Sequence, residues 1–169
     1  MTLEEQMRAL ATRAKRASYC LATLSEDDKN RCLRAMAEAL SASRDILAQA
    51  NAKDLETAAS MGLSAAMVDR LRLTDQRIDG MANGLREVAD LPDPTGRVLD
   101  TYLAPNGLKM SKVSCPIGVV VIIYESRPNV TADAAGLCFK AGNATILRGG
   151  KEAIHSNLAI AKALTTAAR

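Results

Sequence analysis

Tryptophan is absent from this 169-residue chain, phenylalanine occurs once, and aromatic residues make up 2% of it. Platforms that stack single-stranded nucleic acid need such rings, so none is expected. Charge of one sign is equally scarce. The 22 basic and 19 acidic residues leave a net +3, dispersed along the chain and too weak to argue for nucleic acid. No apolar run approaches the length of a membrane span, and the start, MTLEEQMRALATRAKRAS, is charged and helix-prone where a secretory signal would be apolar. These features predict a cytoplasmic protein with neither a nucleic-acid nor a membrane partner. His155 has no second histidine with which to share a metal, and Cys20, Cys32, Cys115 and Cys138 lack the close pairing of metal or redox motifs. The reading is a helix-surface histidine, reduced thiols and no metal site, with Cys138 a small packing residue.

What is present suffices for one domain with a sizeable core, since 48% of the residues are hydrophobic. The first ninety or so residues read as helices. Leu3, Met7, Leu10, Ala14 and Ala17 recur at helical spacing, and Leu21 and Leu24 extend the stripe. Ser25-Glu26-Asp27-Asp28 resembles a capping box, after which one long helix is expected to about Ala50, with Cys32, Leu33, Met36, Leu40 and Leu47 inward. Asn51, Ser64 and Thr74 read as the next N-caps, with Gly62 as a stop. The charges at Asp75, Arg77, Asp79, Arg86 and Glu87 read as a solvated helix face.

Leu91-Pro92-Asp93-Pro94 ends the helical region, because each proline removes a donor and restricts its predecessor. Two strands, Arg97 to Leu103 and Leu108 to Cys115, are expected to form a hairpin through Pro105-Asn106-Gly107. Ile117 to Tyr124 is a β-branched run that suggests a parallel strand buried on both faces. A helix from Asn129 or Thr131 to Lys140, a stop at Gly142, and a second strand from Ala144 to Leu147 complete a βαβ crossover.

Each strand of that crossover ends in polar residues, where open α/β sheets place their ligands. After the first come Glu125, Ser126, Arg127 and Asn129, in which the Arg127 guanidinium offers a planar fork to a carboxylate or phosphate. After the second come Arg148, Gly149, Gly150 and Lys151, two glycines between two cations at the entry to a helix, a setting that favours a phosphate.

The segments YESRPNVTADAA and GNATILRGGKEA resemble the γ-glutamyl phosphate reductase family, aldehyde-dehydrogenase-like enzymes of proline biosynthesis. The likeness extends upstream through ASYCLATLSEDDKNRCL, ANAKDLETA, GLSAAMVDRLRLT and LPDPTGRV, and so covers essentially the whole chain. It implies an α/β fold: an N-terminal helical segment, a β-hairpin, then the start of a Rossmann-like parallel sheet of aldehyde dehydrogenase type. The implied division is 1–93, a helical part of the cofactor-binding domain; 94–116, a hairpin that belongs to the oligomerisation region; and 117–169, the first βαβ unit. The catalytic domain is expected to be absent, because family members continue well past residue 169.

The family reaction is NADPH-dependent reduction of L-glutamyl 5-phosphate to L-glutamate 5-semialdehyde and phosphate, by an oxidoreductase expected to be a homo-oligomer. A cysteine attacks the acyl phosphate to give a thioester, and hydride from the cofactor resolves it. None of the four cysteines here matches the nucleophile segment. By resemblance, Glu125, Ser126, Arg127 and Asn129 face the substrate, with Asn129 as oxyanion donor, although a register counted back from Gly142-Asn143 places Glu125 there instead. Such a donor is worth about 3 kcal/mol. Glu125 paired with Arg127 in a structural ion pair is the competing reading. In aldehyde dehydrogenases a lysine contacts the adenosine ribose where this chain has Arg148, and often a carboxylate stands about where it has Lys151. A cation at that place favours a 2′-phosphate, hence NADPH over NADH. A truncated or divergent non-catalytic nucleotide-binding or assembly module is the alternative.

Overall fold

The computed structural model describes residues 1–125 and 127–168. Five helices come first: α1 (Leu3–Leu21), α2 (Glu26–Ala42), α3 (Arg44–Ser60), α4 (Ala65–Leu71) and α5 (Asp75–Asp90). A hairpin of β1 (Val98–Leu103) and β2 (Lys109–Val113) follows. Then come β3 (Val119–Ile123), α6 (Asn129–Lys140), β4 (Ala144–Arg148), a 3-10 turn at Lys151–Ala153, and α7 (Ile154–Ala167).

Side-chain caps fix most helix starts. Ser25, Ser64 and Thr74 accept from the amides of Asp28, Met67 and Arg77. The reciprocal capping box forms at Thr2 and Glu5 rather than at Ser25. Asp28 is one methylene shorter than a glutamate, and its carboxylate instead takes the Ser25 hydroxyl at 2.7 Å. The long helix expected to reach Ala50 is broken at Ser43, which leaves helical geometry at φ −92°, ψ 12°. Asn51 therefore lies inside α3, not at a cap, and is buried.

The core lies where α2, α5, α6 and α7 meet, around Leu33, Leu40, Ile78, Leu85 and Ile160, all buried. Full burial of such side chains stabilises by about 1.5–3 kcal/mol each. The apolar stripe of α1 stays largely uncovered, with Leu3 and Met7 exposed. Two buried lysines tie the proline-rich segment and α6 to α2. Lys29 Nζ donates to Asp93 Oδ2 at 2.7 Å and to Thr95 Oγ1 at 3.0 Å. Lys140 Nζ donates to Asn30 Oδ1 at 2.5 Å and to the Ala89 carbonyl at 3.0 Å.

β3 and β4 pair in parallel from Val119↔Ala144 to Ile123↔Arg148, joined by α6. Gly142, at φ +72°, ends that helix in a conformation that side chains rarely adopt. β3 is not buried on both faces as its composition suggests: Val121 is 60% and Ile123 69% exposed, since nothing among the described residues covers that side.

The hairpin forms with Leu103 opposite Lys109 and Tyr102 opposite Met110, and both strands are exposed throughout. Its turn is a three-residue loop. Ala104 N–H donates to the Leu108 carbonyl at 2.8 Å and Gly107 N–H to the Ala104 carbonyl at 2.9 Å. Gly107 alone takes positive φ, +85°, whereas a two-residue Asn-Gly turn needs Asn106 there as well. Pro105 favours the three-residue solution, because its fixed φ suits the first turn position.

Candidate functional site

Arg127, Pro128 and Asn129 carry the chain from the end of β3 into α6, so side chains here face the groove beside the first turn of that helix. Arg127 and Asn129 line a cavity of about 660 Å³ whose opposite wall is Arg70 and Arg72, at the end of α4, and Gln76 and Arg77 on α5. A second cavity, about 320 Å³, is bordered by Tyr124, Glu125, Arg127, Val130 and again Arg70. Glu125, Arg127 and Asn129 are thus brought together, while Ser126 lies outside the described residues. No ion pair joins Glu125 to Arg127 among the described residues.

Asn129 is half-buried, and its Nδ2 donates to Asp133 Oδ2 at 3.2 Å, one turn along α6. Burial pushes the Asp133 carboxyl above its ordinary value, and the hydrogen bond from Asn129 offsets this only in part. A carboxylate that shares the Asn129 amide competes with any oxyanion for that donor.

The second loop has a different character from that suggested by its glycines. Neither Gly149 nor Gly150 has positive φ. Gly149 is required by packing: a Cβ there would lie 2.2 Å from Asn157 Nδ2 and 3.1 Å from the Tyr124 ring. At Gly150 a Cβ would meet the Glu152 carboxylate at 2.1 Å. Arg148 and Lys151 are exposed. Two amides in the first turn of α7, where a phosphate was expected, are taken. His155 N–H donates to Asp54 Oδ1 at 3.0 Å and Ser156 N–H to Asp54 Oδ2 at 2.7 Å. A buried aspartate from α3 fills the anion position that a helix N-terminus offers. His155 is exposed, as read from the sequence.

Behind both loops runs a buried polar chain. The Tyr124 hydroxyl and Thr131 Oγ1 are 2.6 Å apart, Thr131 Oγ1 donates to Asn157 Oδ1 at 3.0 Å, and Asn157 Nδ2 has no partner among the described residues. From the other side α3 positions both sites at once. Asn51 Nδ2 donates to the Leu71 carbonyl at 2.9 Å and to Ser156 Oγ at 3.1 Å, while its Oδ1 accepts from Leu73 N–H at 2.8 Å. Leu71 and Leu73 flank Arg72, and Ser156 sits in the first turn of α7. Asn51 and Asp54, one turn apart, thus set the arginine wall and the glycine loop together.

Arg70, Arg72 and Gln76 were missed by reading the sequence, in which they look like solvated helix surface. Arg77 was named there as part of that surface, yet it lines the groove while bonded to Asp69 Oδ2 at 3.0 Å and to the carbonyls of Asp69 and Arg72. Among the described residues no three metal-ligating side chains cluster, and no helix is long and apolar enough to cross a membrane.

No protein-family model matches the chain. Gamma-glutamyl phosphate reductase of Geotalea daltonii is 56% identical over 161 residues, which cover 95% of this chain and 38% of that relative. The crystal structure of gamma-glutamyl phosphate reductase from Thermotoga maritima superposes with a TM-score of 0.90 at 40% identity, over 93% of this chain and 38% of that one. A probable aldehyde dehydrogenase from Listeria monocytogenes, at 18% identity and TM-score 0.68 over 97% of this chain and 33% of its own, shares the fold. Over nearly all of its length the chain is thus homologous to gamma-glutamyl phosphate reductases, has an aldehyde-dehydrogenase-like fold, and spans 38% of the relative it matches.

Proposed function

We propose that this chain forms the cofactor-side portion of an NADPH-dependent acyl-phosphate reductase, which converts L-glutamyl 5-phosphate into L-glutamate 5-semialdehyde and phosphate in proline biosynthesis. The observation that carries this reading is the arginine-lined cavity of about 660 Å³ that includes Arg127 and Asn129, two of the four residues that the resemblance assigns to substrate. Its size suits a small metabolite and its walls suit an anion.

The residues of the second loop fit the adenosine end of a phosphorylated nicotinamide cofactor. Arg148, at the end of β4, and Lys151, three residues on, are both exposed cations. When bound, NADPH supplies the hydride. Arg148 and Lys151 would hold its 2′-phosphate, while Asp54 keeps the start of α7 in place and occupies the His155 and Ser156 amides. In a chain completed to the length of its relatives, Lys151→Glu is expected to weaken NADPH binding far more than NADH binding, because a like charge then faces the 2′-phosphate. Equal losses for the two cofactors, measured by fluorescence titration, would sink the assignment.

Cys20, Cys32, Cys115 and Cys138 line neither cavity of this site. The nucleophile is therefore expected elsewhere, and this chain alone should give no turnover with NADP, phosphate and glutamate semialdehyde when nicotinamide absorbance is followed. Turnover that disappears in Cys115→Ser or Cys138→Ser would overturn this reading.

The hairpin is part of the same proposal. Two unpaired strand edges and the exposed Leu99, Tyr102 and Leu103 favour pairing with a second copy. Deleting Thr101 to Met110 should shift the protein toward monomer in sedimentation, whereas an unchanged mass with intact helical content would place the hairpin within one subunit.

A further inference from the structure

Among the described residues Arg70 is the one side chain besides Arg127 that borders both cavities of the site, and nothing in the sequence assigns it a role. Four arginines and two aspartates line the larger cavity, but these charges are not equally available. Arg77 and Asp69 neutralise each other at 3.0 Å, and Arg77 also holds the carbonyls at the end of α4. Asp133 accepts from Asn129. Arg70, Arg72 and Arg127 pair with no carboxylate among the described residues. Unpaired guanidiniums therefore stand on two sides of the groove, Arg70 and Arg72 at the end of α4 and Arg127 before α6, with Asp133 the one carboxylate of the larger cavity that no ion pair takes up among the described residues.

The walls are held by different devices. Asn51 fixes the Leu71 carbonyl and the Leu73 amide on either side of Arg72, so the α4 wall is anchored to the core by a buried amide. Arg127 is set by the end of β3, with its amide donating to the Glu125 carbonyl at 2.7 Å. A ligand with one acidic group satisfies one wall and leaves the other cation facing it unpaired. A short chain with an acidic group at each end satisfies both.

We propose that Arg70 is a second anion-recognition residue, acting across the groove from Arg127, and that the pair selects small dianionic ligands over monoanions. This deepens the reading above, since an acyl phosphate of an acidic amino acid has anionic groups at both ends. Arg127 meets one acidic group, Arg70 the other, and the uncharged Gln76 and the bonded Arg77 shape the floor between them.

The test titrates glutarate and butyrate into the 169-residue chain, followed by NMR shifts of the arginine side chains and of the α6 amides. Arg70→Gln is expected to weaken glutarate about tenfold and to leave butyrate unchanged, whereas Arg127→Gln weakens both. Arg13→Gln, on the exposed α1, removes the same charge at a distance and controls for general electrostatics. Arg70→Gln that costs glutarate no more than Arg13→Gln does, or that costs both ligands equally, overturns the proposal, as does glutarate binding no tighter than butyrate in the unsubstituted chain. Circular dichroism of each variant separates lost recognition from lost fold. Failure of the enzymatic reading is distinguishable, because the completed chain would then show no reduction of the acyl phosphate even with glutarate selection intact.

Discussion

Replacing Asp93 by alanine should cost about 3–5 kcal/mol of stability, because it leaves the Lys29 ammonium buried without its counter-charge. Lys29 is 2% and Asp93 14% exposed at the side chain, with 2.7 Å between Nζ and Oδ2. Thr95 completes the site by donating its amide and hydroxyl to Asp93 Oδ1 at 2.8 and 2.7 Å. Burial opposes the charge on Asp93, but the hydrogen bonds from Lys29 and Thr95 outweigh it and hold the carboxyl below its ordinary 3.8. A carboxyl whose folded pKa is depressed adds stability above the unfolded value and loses it as pH falls through the folded one. The gap between the unsubstituted chain and Asp93→Ala, measured by urea unfolding, should therefore be full at neutral pH and narrow below about pH 4. Lys29→Met combined with Asp93→Ala should recover most of the loss, since replacing both charges removes the uncompensated one. A double variant no more stable than Asp93→Ala would show that the pair is not the cause.

The second large effect is expected at Asp54. Asp54→Ala removes two charge-assisted bonds to the start of α7, at 3.0 and 2.7 Å, and leaves two amides facing a side chain position that is 1% exposed. The expected cost is about 2–4 kcal/mol, with Asp54→Asn intermediate because it keeps one acceptor but loses the charge. Hydrogen exchange should report the damage first at His155 and Ser156 and then in the glycine loop. A loss below about 1 kcal/mol would mean that solvent satisfies those amides as well as the carboxylate does.

The order of elements was legible because most of its signals are local. Ser64 and Thr74 act within one helical turn of themselves, Gly62 and Gly142 supply left-handed residues that only glycine adopts freely, and Val119 to Ile123 has the branching of a strand. Where local signals were ambiguous, the reading failed. Asn51 carries the side chain of a cap, and only its distant partners, Leu71, Leu73 and Ser156, reveal a buried strut inside a helix. Asp54 is likewise indistinguishable from a surface acid until α7 packs against it.

By itself the sequence determined the helical start, the hairpin, the βαβ crossover and the two polar strand ends, since propensity, capping and turn chemistry act between residues a few positions apart. Only the tertiary structure decided which charges meet. Arg70 and Arg127, 57 positions apart by their numbers, share a groove because α4 and the start of α6 are brought together through the core. The phosphate position expected at α7 is filled by Asp54 from a helix a hundred residues earlier, with separations of 101 and 102 positions. Long-range pairing of this kind depends on packing, for which the chain carries no local code.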